Sequence, residues 1–220
     1  MTRPTRTPTR TAPFRSGPIR ALAAALALCV LAAPVALAAP EPRPVATSWE
    51  FTFEQGPLRL AWVETEDGNR PYFYFTYRVT NHWGSDLLFA PDVSLVTSDA
   101  EVLPSGRGVP AAVIEEIMGR LRNPLLESQY SILSTVLEGP EHAREGIAVW
   151  PATSMQVDEL TIYFGGLSGE NEAYVIGRDT DEPRRYTLRK TMMLRYATPG
   201  DFTRQGSRPF ELVEKRWVMR

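Results

Sequence analysis

Apolar and polar side chains alternate along much of the chain with a period of two residues. The alternation is clearest in residues 71–80, where five of the seven residues from Tyr72 to Arg78 are aromatic. Successive side chains of a β-strand point to opposite faces. One face of such a strand would carry only apolar or aromatic side chains, namely Phe73, Phe75, Tyr77 and Val79. The pattern predicts a half-buried antiparallel strand that contributes this face to a hydrophobic core.

The opposite face of this strand is polar or amphipathic and is a candidate contact surface. It would carry Tyr72, Tyr74 and Arg78, together with Thr76 and Thr80. Tyr and Arg are enriched at protein interfaces, so Tyr72, Tyr74 and Arg78 are candidate partner-binding residues. The alternative is an ordinary strand surface, because tyrosine is also a common strand former.

Similar short stretches, separated by Gly, Pro, Asn and Asp, predict roughly nine strands. The first two are expected at residues 49–54 and 58–62, with Gln55-Gly56-Pro57 as a break between them. Strands that follow one another at this spacing, without alternating helices, are typical of all-β folds. We therefore expect a mainly β protein, an antiparallel β-sandwich with a short helical insertion.

The period changes to that of a helix after Pro110, which suits the first turn of a helix. Apolar side chains then recur on one helical face, at Val113, Ile114, Ile117, Met118 and Leu121. Residues 125–137 fit either a second helix or a strand. The domain prediction is a single β-sandwich domain over residues 49–220, with a helical insertion at about 110–137.

The longest predicted strand covers residues 185–196. Its apolar face would carry Leu188, Met192 and Leu194, with Lys190 as an exception. Its other face would carry a basic row, Arg185, Arg189 and Arg195. Such a row can bind an anionic polymer or lipid headgroups, and the alternative is pairing with acidic residues of the same protein.

Residues 1–38 have the composition of a secretory signal peptide. Five arginines and no acidic residue precede an uncharged apolar run, and Ala36-Leu37-Ala38 provides small residues at the two positions that a signal peptidase recognises. An uncleaved membrane anchor and a mitochondrial transit peptide are the alternatives. Residues 39–48 are expected to form a Pro-rich extended leader. The predicted location is outside the cytoplasm, in the periplasm or the extracellular space.

Removing residues 1–38 changes the charge and the cysteine content. The remaining chain has 19 basic and 26 acidic residues and no cysteine, since Cys29 lies in the signal segment. Residues 39–183 carry a net charge of −14, whereas residues 184–220 carry +7. We expect the basic segment to pack on the acidic body. The negative total charge and the export signal argue against nucleic acid as a partner.

Several short motifs resemble secreted bacterial immunoglobulin-like domains of uncharacterised function. The resemblance rests on Tyr77-x-Val79-x-Asn81, Trp83-Gly84-Ser85-Asp86, Phe89-x-Pro91 and Leu95-Val96-Thr97, and on the later stretches 145–151 and 158–163. It covers about half of the chain that follows the signal segment. It implies a role in extracytoplasmic binding or adhesion and brings no catalytic residues with it.

The motifs do not predict a catalytic set, a metal site or a cofactor. The acidic stretch 170–182 leaves calcium binding open, although it lacks the spacing of a calcium loop. We expect an exported, non-catalytic binding or structural module of the cell envelope, whose partner is an envelope protein or polysaccharide. Contact with a membrane is expected only through an uncleaved signal segment. The alternative is an exported carbohydrate-active hydrolase that uses paired carboxylates.

Overall fold

Two β-sheets pack face to face and enclose most of the hydrophobic core. The computed structural model describes residues 40–177 and 182–220. These residues form twelve strands and one helix. In chain order the elements are β1 Thr52–Thr65, β2 Gly68–Asn81, β3 Leu87–Phe89, β4 Asp92–Thr97, β5 Val102–Pro104, α1 Ala111–Leu121, β6 Leu126–Ser128, β7 Ser134–Val136, β8 Gly139–Pro151, β9 Gln156–Gly165, β10 Asn171–Ile176, β11 Arg184–Asp201 and β12 Glu211–Met219.

The smaller of the two main sheets has four strands in the order β1-β2-β8-β6. The larger sheet has six strands, with β10-β11-β9-β4-β5 in order and β12 paired with β11. Strands β3 and β7 form a separate two-stranded sheet. Apart from β6 on β8, all these strand pairs are antiparallel. The predicted antiparallel β-sandwich is confirmed.

The predicted apolar face of β2 lies in the core. Phe73 stands opposite Trp150 of β8, and Phe75 stands opposite Ala148. From the larger sheet, Phe164 of β9 approaches Tyr77 with ring centroids 4.6 Å apart in an edge-to-face arrangement. Edge-to-face aromatic pairs add roughly 0.5–1.5 kcal/mol to the burial of the rings. Interlocking rings therefore join the two sheets at the centre of the sandwich.

The other face of β2 is also covered, which corrects the expectation that it faces solvent. Helix α1 packs on it through Val113, Ile114 and Ile117 and forms a second apolar cluster with the four-stranded sheet. Tyr72 and Tyr74 are only 6% and 8% exposed as a result. Burial also raises the pKa of Tyr74, against the opposing effect of two arginines. The fold thus has three layers, helix on sheet on sheet.

The helical insertion is shorter than the predicted range 110–137. Helix α1 ends at Leu121, and Arg122 adopts left-handed backbone geometry with φ of 52°. Asn123 then accepts a hydrogen bond from the backbone N–H of Leu125, and Pro124 disfavours further helix. The rest of the range contains the short strands β6 and β7 instead of a second helix.

Strand β1 is continuous where the sequence predicts two strands. The stretch Gln55-Gly56-Pro57 forms an irregularity in the pairing with β2, between Gln55 and Leu58, and does not end the strand. A side chain at position 56 would collide with Thr76, so only glycine allows the two strands to approach here. Gly and Pro therefore mark a bulge in this strand.

The described residues, 40–177 and 182–220, belong to one compact unit. Residues 1–38, which carry the predicted signal peptide, and residue 39 lie outside the described residues. Residues 40–48 contain neither helix nor strand. Within 40–177 and 182–220, no helix has the length and apolar character needed to cross a membrane.

The packing of α1 on the four-stranded sheet can be tested at Ile117, which is 1% exposed. We expect Ile117→Ala to lower the free energy of unfolding by about 2–5 kcal/mol, because it removes buried methyl groups and leaves a cavity. Urea titration followed by circular dichroism measures this change. Glu115→Ala, at an exposed position of the same helix, is the control and should change the value by no more than about 0.5 kcal/mol. Equal effects of the two variants would contradict the burial of Ile117.

Candidate functional site

A groove of about 800 Å³ lies on the face of the six-stranded sheet that points away from the core. Alternation explains its composition, because β11 and β9 direct their apolar side chains inwards and the intervening polar ones outwards. Ser94 of β4 and Tyr163 of β9 are register partners in the floor of the groove. The polar and aromatic side chains of its lining are Trp49, Asp92, Ser94, Tyr163, Ser168, Glu170, Asn171, Thr187, Arg189, Thr191 and Arg220.

Arg220 lies across the floor of the groove. Its guanidinium stacks on the ring of Tyr163 at 4.1 Å from the ring centroid, and its Nη1 donates a hydrogen bond of 3.2 Å to Ser94 Oγ. The stack and the hydrogen bond restrict the rotamers of a side chain that is otherwise flexible. Arg220 therefore presents its remaining N–H groups from a fixed position.

Arg189 stands directly opposite Arg220. The backbone N–H of Arg189 donates to the carbonyl of Arg220 at 2.7 Å, and the N–H of Arg220 donates back to Arg189 at 3.1 Å. Residues that exchange both hydrogen bonds in an antiparallel pair have side chains on the same face of the sheet. Two arginines are thus placed side by side in one groove.

One wall of the groove is the loop of residues 166–170 between β9 and β10. The segment before β1 binds this loop through its backbone, since Phe51 donates to Leu167 and Gly169 donates to Trp49, both at 2.9 Å. Gly169 also packs so closely on Trp49 that a Cβ would not fit. The position of the wall therefore depends on the segment that leads into the first strand.

Lys190 fixes the same wall from the core side. It is 3% exposed, and its Nζ lies 2.9 Å from Glu50 and 3.2 Å from Glu170. The Trp217 ring lies 4.9 Å from Nζ, and the Arg43 backbone N–H donates to Glu170 at 2.9 Å. We call Lys190, Glu50 and Glu170 the buried ion cluster. It joins residues 40–50, the groove wall and β11.

The charges of the buried ion cluster support one another. Burial opposes the charge on Lys190, but hydrogen bonds and attraction from Glu50 and Glu170 outweigh it and raise the pKa of Lys190. Burial likewise opposes ionisation of Glu170, but the N–H of Arg43 and the ammonium of Lys190 outweigh it and lower the pKa of Glu170. Lys190 and Glu170 are therefore expected to stay charged near neutral pH.

The predicted partner-binding residues on β2 are not brought into the groove. Tyr72 and Tyr74 lie beneath α1, so the expectation that they are exposed is wrong, because the helix covers the face that alternation alone leaves free. Arg78 is exposed, and its Nη1 lies 3.5 Å from Glu145. Arg78 is therefore the one member of this predicted set that remains on the surface.

The predicted basic row on β11 divides into different environments. Arg189 lines the groove, whereas Arg185 is an exposed residue opposite Val175 of β10. Arg195 forms ion pairs with Glu214 at 2.7 Å and Glu159 at 3.5 Å. Pairing of Lys190 with Glu50 and Glu170, and of Arg195 with Glu159, agrees with the expectation that the basic segment packs on the acidic body.

A second cavity, of about 840 Å³, lies between the β1–β2 hairpin and the start of α1. Its acidic lining residues are Glu64, Glu66, Asp67 and Glu116, and Tyr72 also borders it. Glu116 forms an ion pair with Arg120, with a distance of 2.5 Å between Oε1 and Nη2. This cavity has four carboxylates and an aromatic ring among its lining residues.

The acidic stretch 170–182 lies only partly within the described residues, since 178–181 fall outside them. Glu170 belongs to the buried ion cluster. Across residues 40–177 and 182–220, no group of three or more His, Cys, Asp or Glu side chains is arranged to hold a metal ion.

Some residues of the groove could not be found from the sequence. The adjacency of Tyr163 and Ser94 depends on the pairing of β9 with β4, which alternation within either strand does not predict. Arg220 lies outside every predicted strand, and its position beside Arg189 depends on the register of β12 on β11. Lys190 was visible as the charged exception on an apolar face, which is a usable sign of a buried ion pair.

Comparison of the sequence with protein-family models, with curated proteins and with solved structures finds no match. The resemblance to secreted immunoglobulin-like domains therefore stays a prediction.

We expect Lys190→Met to lower the free energy of unfolding by about 3–5 kcal/mol, because it leaves Glu50 and Glu170 without their buried cationic partner. Urea titration at neutral pH measures the loss. Lys215→Met is the matched control, since Lys215 is an exposed lysine of β12 whose Nζ bonds Gln55 at 2.6 Å, and it should cost no more than about 1 kcal/mol.

The same titration should show a pH dependence with a defined sign. The folded-state pKa of Glu170 lies below its ordinary value of 4.5, so its contribution is present above about pH 4.5 and is lost as the pH falls through the lower folded value. Wild type should therefore lose more stability in acid than Glu170→Gln does. Parallel acid profiles of the two proteins would contradict an ionised Glu170 in the folded state.

Proposed function

We propose that the protein is an exported, non-catalytic binding or structural module of the cell envelope, and that the groove on the six-stranded sheet is its contact site. The partner is an envelope protein or polysaccharide. Export is proposed on the signal-peptide composition of residues 1–38. The immunoglobulin-like character of the sandwich is proposed on the motifs that resemble such domains.

The observation that carries the proposal is the convergence of hydrogen-bonding side chains in one concave site on a rigid scaffold. Strands β4, β9 and β11 supply Ser94, Tyr163 and Arg189, and the wall is held by backbone bonds to residues 49–51. A volume of about 800 Å³ lies in the range of about 300–1,000 Å³ that is usual for ligand sites. Sites built on strands keep their geometry better than sites built on free loops.

A second candidate function is hydrolysis of carbohydrate by paired carboxylates, and the acidic cavity favours it. Glu64, Glu66 and Asp67 lie together there, and glycoside hydrolysis requires one carboxyl as acid and another as base or nucleophile. This candidate places the chemistry at the opposite sheet from the groove. The two functions can therefore be separated by variants.

The test is retention of envelope material by the immobilised chain that begins at residue 39. We expect wild type to retain one defined protein or glycan from a solubilised envelope extract. Thr187→Trp should abolish retention, because the indole would fill the groove at an exposed position of its lining. Thr135→Trp introduces the same side chain at an exposed position of β7 and should retain as much as wild type.

Retention by Thr187→Trp at the level of wild type would contradict the groove as the contact site. Glycan that is shortened by the protein, with the shortening lost in Glu64→Gln and unchanged in Thr187→Trp, would favour the hydrolase. Glycan chain length is measured by mass spectrometry of the released material.

A further inference from the structure

We infer that the groove binds an acidic polysaccharide, whose carboxylate or sulfate groups are held between Arg189 and Arg220. The inference rests on the proposed function and names the class of ligand. Strand β12 pairs with β11, and charged residues stand opposite one another at two positions of this pairing.

At one point of this ladder the charges are complementary. Arg195 of β11 stands opposite Glu214 of β12, and the two side chains form an ion pair of 2.7 Å. Arg216, the next outward-facing residue of β12, also pairs with Glu214, at 2.8 Å. Each arginine in this part of the sheet face has a carboxylate within the protein.

At the other point of the ladder the charges are alike. Arg189 and Arg220 exchange backbone hydrogen bonds, so their side chains share one face. Like charges directly opposite each other in a sheet are destabilising. Within residues 40–177 and 182–220, neither guanidinium has a carboxylate partner at ion-pair distance. The Arg220 guanidinium instead contacts the Tyr163 ring and the Ser94 hydroxyl.

The acids nearest to this pair do not neutralise it. Glu170 borders the groove, but its carboxylate is bound by Lys190 and by the N–H of Arg43. Asp92 is an exposed residue of the lining and forms no ion pair with a described residue. Neither of these acids pairs with the two guanidiniums, and an anionic ligand placed between them would supply the missing partner.

The form of the site favours a polysaccharide as the source of the anion. Arginine binds carboxylate, sulfate and phosphate in a bidentate fashion. The groove, however, extends beyond the two guanidiniums to the exposed residues Asn171 and Thr187, whose amide and hydroxyl groups match sugar hydroxyls. Trp49 adds a partly exposed aromatic side chain at the wall. A free phosphate ion would use only the arginines and would leave these groups without a role.

The test is isothermal titration of the chain that begins at residue 39 with oligosaccharides of uronic acids (polygalacturonate and alginate) and of sulfated sugars (heparin). Neutral dextran of equal length, inorganic phosphate and phosphatidylglycerol vesicles are the comparison ligands. We expect an acidic oligosaccharide to bind, with an affinity that falls as salt is added. Arg189→Gln and Arg220→Gln should each weaken binding about tenfold or more, because each removes a charge-assisted contact. Arg195→Gln, which removes the same charge from an arginine outside the groove, should stay within about twofold of wild type.

A second measurement needs no ligand and excludes loss of folding as the explanation. At low ionic strength Arg189→Gln should melt at a higher temperature than wild type, since it relieves the repulsion from Arg220. Arg195→Gln should melt at a lower temperature, since it breaks two ion pairs. A lower melting temperature for Arg189→Gln would overturn the like-charge argument.

The outcomes separate this inference from the proposed function. No binding of any acidic oligosaccharide, or binding that both arginine variants retain, overturns the inference. Binding of vesicles or phosphate alone, lost in these variants, also overturns it and assigns the arginines to another anion. If Thr187→Trp still blocks retention of envelope material in either case, the groove remains the contact site. If Thr187→Trp has no effect, the proposed function fails as well.

Discussion

The alternation of side chains along β11 is the constraint on which the rest of the structure depends. Met192, Leu194 and Tyr196 point into the core, whereas Arg189 and Arg195 point to the outer face. A shift of one residue in the register of this strand would exchange the two faces. It would bring arginines into the aromatic core and leucine to the surface. The pairing of β11 with β9 and β12 therefore determines the core and the groove together.

Lys190 is a buried charged residue at one end of the core-facing row of β11. Its ammonium is nearly inaccessible to solvent, and burial of a lone charge is strongly unfavourable. The carboxylates of Glu50 and Glu170 offset this cost. They come from segments far apart in the sequence, so they meet Lys190 only in the folded protein. Buried ion pairs often stabilise a protein no more than apolar side chains of the same size. The contribution of this cluster is positional, since it holds residues 40–50 and the groove wall against β11.

The outer face of the larger sheet carries both arginines that form ion pairs and arginines that do not. The end of the β11–β12 ladder near Arg195 and Glu214 is neutral and adds a modest amount to stability. The end near Arg189 and Arg220 carries repulsion that the aromatic core must outweigh. Such local conflicts within a consistent fold tend to occur at functional sites. Arg189 of the groove and Lys190 of the buried ion cluster are neighbours in β11 with side chains on opposite faces, and Glu170 belongs to both the cluster and the groove wall.

The sequence by itself determined the sandwich, the inward face of β2, the helix that begins after Pro110 and the two-faced character of β11. Each of these follows from side-chain period and local backbone preference. Only the tertiary structure decided that α1 covers Tyr72 and Tyr74, that Glu50 and Glu170 meet Lys190, and that Arg220 stands beside Arg189. These contacts depend on the docking of a helix and on the register between distant strands. Period alone assigns a side chain to a face of its strand, but the partner on that face is chosen by long-range packing.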